Sequence, residues 1–195
     1  MGTTGSNRWR TIDIVVASVI GVAFGVVFWI WDLVWGGFGT AFDFFKPAGG
    51  LIIGVWMLAA VVGGLVIRKP GAAVYTEFVA ALVSTLIGNQ WGLVTVLEGV
   101  VEALGGELAF ALFAYRNFKL PVALLSGALA AVFATVWEWF FYYPTWAWGW
   151  KFAYTGFGAV GGGVVAGLGG WALVRAMART GVLDRFGAGR ERATV

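Results

Sequence analysis

Apolar residues run almost unbroken through six stretches of this chain, roughly 12–35, 48–67, 72–88, 91–115, 120–143 and 152–176, and most charged positions fall between them. A helix rises about 1.5 Å per residue, so about 20 apolar residues cross a hydrocarbon core of about 30 Å. The pattern predicts an all-α membrane protein: one domain over residues 1–195, folded as a bundle of six transmembrane helices. The connectors carry their own signals. Arg68-Lys69 precedes the helix breaker Pro70-Gly71, Gly88-Asn89-Gln90 forms a tight turn, and Pro121 stands in the first turn of the fifth span, where proline is tolerated. The first span is too long for a signal-peptide core and lacks a clean cleavage site, so it is expected to be retained. Gly36 to Pro47 reads as a loop whose aromatics, Phe38, Phe42, Phe44 and Phe45, fold onto the bundle. The basic tail from Arg179 reads as frayed.

The informative positions are those that break the apolar pattern. The fourth span, Trp91 to Tyr115, carries Glu98, Glu102 and Glu107 with no basic residue among them. A carboxylate at mid-membrane costs about 2.5 kcal/mol or more, so three in one span call for a wet cavity, partners or protonation. Glu98 and Glu102 lie one turn apart on one face. Glu107 is about 140° further round and deeper, and reads as a separate structural or coupling residue.

Composition removes alternatives. At 60% hydrophobic and 12% charged residues the chain is not a soluble domain. The absence of cysteine and histidine excludes disulfides, thiol nucleophiles, imidazole bases and most transition-metal sites. Any chemistry rests on carboxylates, hydroxyls, amides and aromatics. Twelve tryptophans and 31 glycines suit closely packed helices with aromatic interfaces.

The net charge of +3 bears on orientation rather than on nucleic acid, which is not an expected partner. In a six-span frame Arg8, Arg10, Arg68, Lys69, Arg116, Lys119, Arg175, Arg179, Arg185, Arg190 and Arg192 share one side, with Lys46 and Lys151 on the other. The basic side faces the cytoplasm, and with it both termini.

In that frame Glu98 lies about 10 Å and Glu102 about 16 Å below the outer end of the fourth helix, and Glu138 about 8 Å below the outer end of the fifth. Asp32, between Trp31 and Trp35, closes the first helix on the same side. The segment Trp137 to Trp150 is the densest aromatic run in the chain. A headgroup belt explains any single tryptophan there, whereas Glu138 inside the cluster points to a binding wall. A negative, aromatic-walled cavity open to the outside suits an organic cation with a flat ring. The candidate ligand-binding residues are Glu98, Glu102, Glu138, Trp35, Trp139, Tyr142 and Trp146, with Asn89 and Gln90 as amide hydrogen-bonding groups. Ala17, Gly21 and Gly25 form a stripe of small residues on the first helix, compatible with close approach of another helix or with internal packing.

Arg68 to Ala73 (RKPGAA), then Glu77, Gly88-Asn89, Gly92, and Gly99-x-x-Glu102-x-x-Gly105-x-Glu107 resemble the YkoE family, through most of the chain from Trp9-Arg10 to Thr180-Gly181-Val182-Leu183. These are membrane-embedded S components of energy-coupling factor (ECF) vitamin transporters, associated with thiamine and its hydroxymethylpyrimidine precursor. The resemblance implies six helices, a substrate site near the outer face, and work alongside a second membrane subunit and paired ATPases in the plasma membrane of a bacterium. It also makes Ala17, Gly21 and Gly25 look like the docking face for that second subunit. The sequence departs from the family pattern at 102, where Gln is usual, and at 103, where Gly gives way to Ala.

The expected function is a substrate-capturing transporter subunit for thiamine or a related pyrimidine, not an enzyme and without a cofactor. No GxxxxGK[ST] run is present, so ATP would be hydrolysed by partners. The alternative is a stand-alone proton-coupled carrier of organic cations, with Glu98 or Glu102 exchanging a proton for substrate. An intramembrane enzyme is weaker still, since no nucleophile stands beside the acids.

Overall fold

The computed structural model describes residues 8–190, apart from the side chains of Phe38 and Gly39, and the described residues are helical with no strand. The Phe38 side chain and Arg192, which entered the sequence reading, lie outside what is described.

Six long helical segments follow one another: α1 (Thr11–Ala41), α2 (Lys46–Ile67), α3 (Ala72–Ile87), α4 (Val94–Leu112), α5 (Leu120–Phe141) and α6 (Trp148–Arg179), then the short turn α7 (Gly187–Arg190). Four of them, α1, α2, α5 and α6, are long and apolar enough to cross a membrane by length and composition alone. Helix α3 is apolar but shorter, and α4, continuous over 19 residues, carries three carboxylates in its apolar run. Neighbours pack as α1 on α3, α3 on α4, α4 on α5 and α5 on α6, with α2 enclosed among them.

Two helices depart from regular α geometry. The first half of α2, Lys46–Val55, is a 3-10 helix, the tighter form that appears in short pieces. It lies so close to α6 that a Cβ on Gly54 would come within 2.7 Å of the Gly161 carbonyl oxygen. Glycine is what permits the approach. In α6, Gly163–Gly169 widens into a π-helical stretch inside the glycine run.

Three expectations are corrected. The stretch 36–47 is not a single loop: neither Gly36 nor Gly37 has a positive φ, so α1 runs through them to Ala41 before turning. Of its aromatics, Phe45 meets Trp150 and Phe157 edge-on, whereas Phe44 projects outward. Over its described residues, to Arg190, the tail is not frayed, because Leu183, Phe186 and Ala188 are buried and the Arg10 guanidinium lies over the Phe186 ring. The small-residue stripe of α1 is not open to a partner. Ala17, Gly21 and Gly25 are buried against α3, where a Cβ on Gly21 would meet Val79 at 2.7 Å and one on Gly25 would meet Val83 at 2.6 Å. The face of α1 that does project outward is apolar and bulky, with Val15, Val19, Ile30 and Leu33.

The basic end is held by two acids. Asp13 accepts from the Arg10 backbone N–H and side chain and from Lys69 Nζ at 2.5 Å, which ties the start of α1 to the connector before α3. Trp9 Nε1 donates to the Pro70 carbonyl of the same connector. Glu107, from α4, accepts the backbone N–H groups of Gly71 at 2.7 Å and Ala73 at 2.8 Å, and the Tyr115 hydroxyl at 2.8 Å. It thereby satisfies the bare donors at the start of α3. Gly71 reaches this position with φ +82, the left-handed region that favours glycine. The RKPGAA connector is thus a structural clamp between α1, α3 and α4.

Candidate functional site

Toward the other end the bundle encloses a cavity of about 160 Å³. Each wall comes from a different helix. Phe28 and Trp35 come from α1, Trp56 and Met57 from α2, and Glu77 and Ala81 from α3. Trp91 from the preceding turn, Thr95, Glu98, Gly99 and Glu102 come from the α4 side, and Glu138 with Tyr142 and Tyr143 from the end of α5.

The helix period puts the acids here. Glu98 and Glu102 are one turn apart on α4, about 6 and 12 Å along the helix from Val94. Gly99 between them lets α4 close on α3: a Cβ there would stand 2.8 Å from Ala81. Glu77 faces Glu102 across this contact, and Glu98 lies beside Glu138. Tyr142 donates its hydroxyl to Glu98 Oε2 at 2.9 Å. Glu77 is fully buried, and its Oε2 accepts the Ala60 backbone N–H at 2.7 Å. Its Oε1, like Glu138 Oε2, is shut from solvent with no hydrogen-bond donor. Four carboxyl groups and no basic side chain line one small cavity.

The aromatic wall is set by mutual packing. Trp56 meets Trp35 edge-on at 4.8 Å and Trp91 at 5.8 Å, near-perpendicular arrangements favoured by the ring quadrupole. Asp32 fixes the central ring, accepting from Trp56 Nε1 at 2.8 Å and from Ser84 Oγ at 3.0 Å. It holds the wall from behind, outside the set of cavity-lining acids.

Of the residues expected to bind ligand, Glu98, Glu102, Glu138, Trp35 and Tyr142 line the cavity. The other four do not. Asn89 is committed to its turn: its Oδ1 accepts the backbone N–H of Gly92 at 2.7 Å and of Trp91 at 3.0 Å, and its amide faces Thr85. It orients Trp91 rather than the ligand, and the turn it makes delays α4 to Val94. Gln90 is exposed. Trp139 packs outward on Trp148 and Phe152, donating to the Lys151 carbonyl. Trp146 stacks on the far side of Tyr143 at 4.1 Å. Lys151, on the non-basic side in the sequence frame, donates to the Pro144 carbonyl and lies over Trp148.

The lining residues missed include Glu77, Trp56, Trp91 and Tyr143. Glu77 carried a signal, since a lone carboxylate within an apolar helix needs a reason. Trp56 carried none: one tryptophan in an apolar run is indistinguishable from an interface anchor.

Comparisons with known proteins bear on the family and the fold. Residues 12–133 match the family described as ABC-type cobalt transport system, permease component. Over 190 residues the chain is 34% identical to YkoE of Bacillus subtilis (strain 168), a protein named for HMP/thiamine permease activity, covering 95% of this chain and 92% of that one. A solved structure titled as the crystal structure of an S-component of an ECF transporter superposes with a TM-score of 0.90 at 31% identity, covering 96% of this chain and 94% of that one.

Proposed function

The chain belongs to the YkoE family of ECF-transporter S components, substrate-binding membrane permeases of the bacterial plasma membrane, and we propose that its cavity captures thiamine or the hydroxymethylpyrimidine precursor of thiamine. Members of this class are transporter subunits rather than enzymes. The observation that carries the ligand assignment is the composition of the cavity: four carboxyl groups without a counter-cation, facing Trp35, Trp56 and Trp91. Such a site attracts a flat organic cation by charge and by ring faces, the latter worth about 2 kcal/mol or more when desolvated. Cobalt, the substrate named for the matching permease family, is not proposed. Among the described residues no group of three or more His, Cys, Asp or Glu is arranged to hold a metal ion.

As an S component the chain works with membrane-embedded partners. In the proposed arrangement these are a coupling subunit and a pair of ATPases, and the six helices cross the bilayer with both termini in the cytoplasm. The basic residues support that orientation: Arg8, Arg10, Arg68, Lys69 and Arg190 line one hollow at the end opposite the acidic cavity. A stand-alone proton-coupled carrier is disfavoured by the family assignment, which comes with partners.

Titration of the purified protein with thiamine, hydroxymethylpyrimidine and choline tests the reading. Saturable binding of the first two and none of choline is expected. Equal affinity for all three would reduce the site to a general cation trap.

A further inference from the structure

The basic end of the bundle holds a second hollow, of about 650 Å³, between the end of α2, the start of α5 and the last turns of α6. Arg68, Lys119, Arg175 and Arg179 line it, and no acid among the described residues does. That separates it from the neighbouring hollow, where Asp13 offsets Arg10 and Lys69. Lys119 and Arg175 are exposed and make no salt bridge among the described residues. Two of the four cations are positioned by aromatic rings: the Arg68 guanidinium lies over Phe118 at 4.7 Å and that of Arg175 over Trp171 at 4.6 Å. Arg68 is fixed further, since its backbone closes α2 at φ +59 and its Nε donates to the Leu65 carbonyl at 3.0 Å. Groups ordered in advance lose less entropy on binding. Helix α5 begins beside the hollow without a side-chain cap, so the positive end of its dipole adds to the same field.

The rest of the hollow is apolar. Leu65, Val174 and Ala178 line it together with Pro121. On α6 the exposed Val164 and Leu168 lead to Trp171 and Arg175, at helical spacing that keeps them on one face. A surface that is apolar along a spanning helix and cationic at its end matches one class of molecule, a phosphodiester headgroup carrying acyl chains. A soluble phosphate would use the cations and leave the apolar track bare.

We propose that this hollow seats the headgroup of an anionic phospholipid, with Lys119 and Arg175 on the phosphate, Arg68 and Arg179 completing the cationic wall, and an acyl chain along Leu168 and Val164. Basic pockets between membrane helices hold such headgroups, and a guanidinium can grip two phosphate oxygens at once. Bound there, the lipid ties the ends of α2, α5 and α6 together at the side of the bundle away from the acidic cavity. The inference stands apart from the thiamine reading and does not depend on it.

The test titrates the purified, delipidated chain in neutral detergent with dioctanoyl phosphatidylglycerol, dioctanoyl phosphatidylcholine and glycerol phosphate, with occupancy read by native mass spectrometry. One phosphatidylglycerol should bind about tenfold more tightly than phosphatidylcholine, and glycerol phosphate should not compete with it. Lys119→Gln and Arg175→Gln should each lower that affinity about fivefold, and the two together about 25-fold, the scale of single basic residues beside an anionic lipid surface. Arg116→Gln combined with Arg185→Gln removes the same charge from exposed positions outside the hollow, and should leave the affinity unchanged. Unfolding midpoints in detergent confirm that the variants fold, and either single variant tests the inference should the other fail. Equal affinity for the two lipids would make the hollow an apolar groove, and competition by glycerol phosphate would make it a site for soluble anions. An equal loss in the Arg116 and Arg185 variant would reduce it to diffuse charge. Each of these overturns the inference, as does unaltered phosphatidylglycerol binding in the Lys119 and Arg175 variant, and loss of assembly with the coupling partners in that last case would give the hollow to a protein instead.

Discussion

The two ends of this molecule use carboxylates in opposite ways. At the basic end each oxygen of Asp13 and Glu107 has a donor: Arg10 and Lys69 for the first, the Gly71 and Ala73 N–H groups and the Tyr115 hydroxyl for the second. In the cavity, Glu77 Oε1 and Glu138 Oε2 are buried with none. Acids satisfied by their own chain join helices. Acids left without a donor in an enclosed space are, on the proposed reading, where a ligand binds. Spacing along the sequence does not separate the two kinds, since Glu102 and Glu107 sit five residues apart on one helix. Their surroundings do.

The comparison breaks most visibly at Glu107. Glu107→Ala removes hydrogen bonds from two backbone N–H groups to a charged acceptor, each worth about 1.5–3 kcal/mol, so a loss of about 3–6 kcal/mol in stability is expected. Thermal unfolding of the detergent-solubilised protein, followed by tryptophan fluorescence, measures it. An unfolding midpoint equal to wild type would mean that the clamp on the start of α3 is not what holds this end together.

Glu98→Gln tests the opposite side of the contrast. Its partner Tyr142 can still donate to the amide oxygen, so the fold should be retained. Binding of a cationic ligand should weaken by about 2–4 kcal/mol, the scale for truncating one member of a buried charge pair. Titration of thiamine by tryptophan fluorescence reads the change. Unaltered affinity with lowered stability would place Glu98 among the structural acids.

Much of this was legible beforehand. The all-helical membrane class, the acids of α4 and the separateness of Glu107 follow from apolar run length and from the 100° step of a helix. What was hidden is tertiary. Asn89 and Asp32 look like site residues because they are polar at the outer end of helices. Local geometry claims Asn89 for a turn, and Trp56 and Ser84 claim Asp32. The stripe Ala17, Gly21, Gly25 announced close helix approach correctly but could not say whose helix. It is α3 of the same chain.

Gly21→Leu sharpens that last point with an effect of about 1–3 kcal/mol or more, the cost of overpacking. The new side chain would collide with Val79 and with the Thr76 carbonyl, whose Cβ contacts stand at 2.7 and 2.9 Å. Since Thr76 adjoins Glu77, the expected outcome is lowered stability together with weakened ligand binding. A variant that binds thiamine normally, yet no longer co-purifies with its coupling partners, would reassign the stripe to docking.

The smallest expected change is at Trp146. Its ring stacks on Tyr143 and meets Tyr154 edge-on, behind the layer that faces the cavity. Trp146→Ala removes aromatic contacts worth about 0.5–1.5 kcal/mol each to the fold, and none to the ligand. Affinity should fall by less than about threefold, through looser seating of Tyr143, because a factor of three is well under 1 kcal/mol. Trp35→Ala is the control, since that ring lines the cavity and braces Trp56. If Trp146→Ala costs as much affinity as Trp35→Ala in the same titration, the wall extends outward to Trp146, and the aromatic run from Trp137 to Trp150 touches ligand rather than framing it.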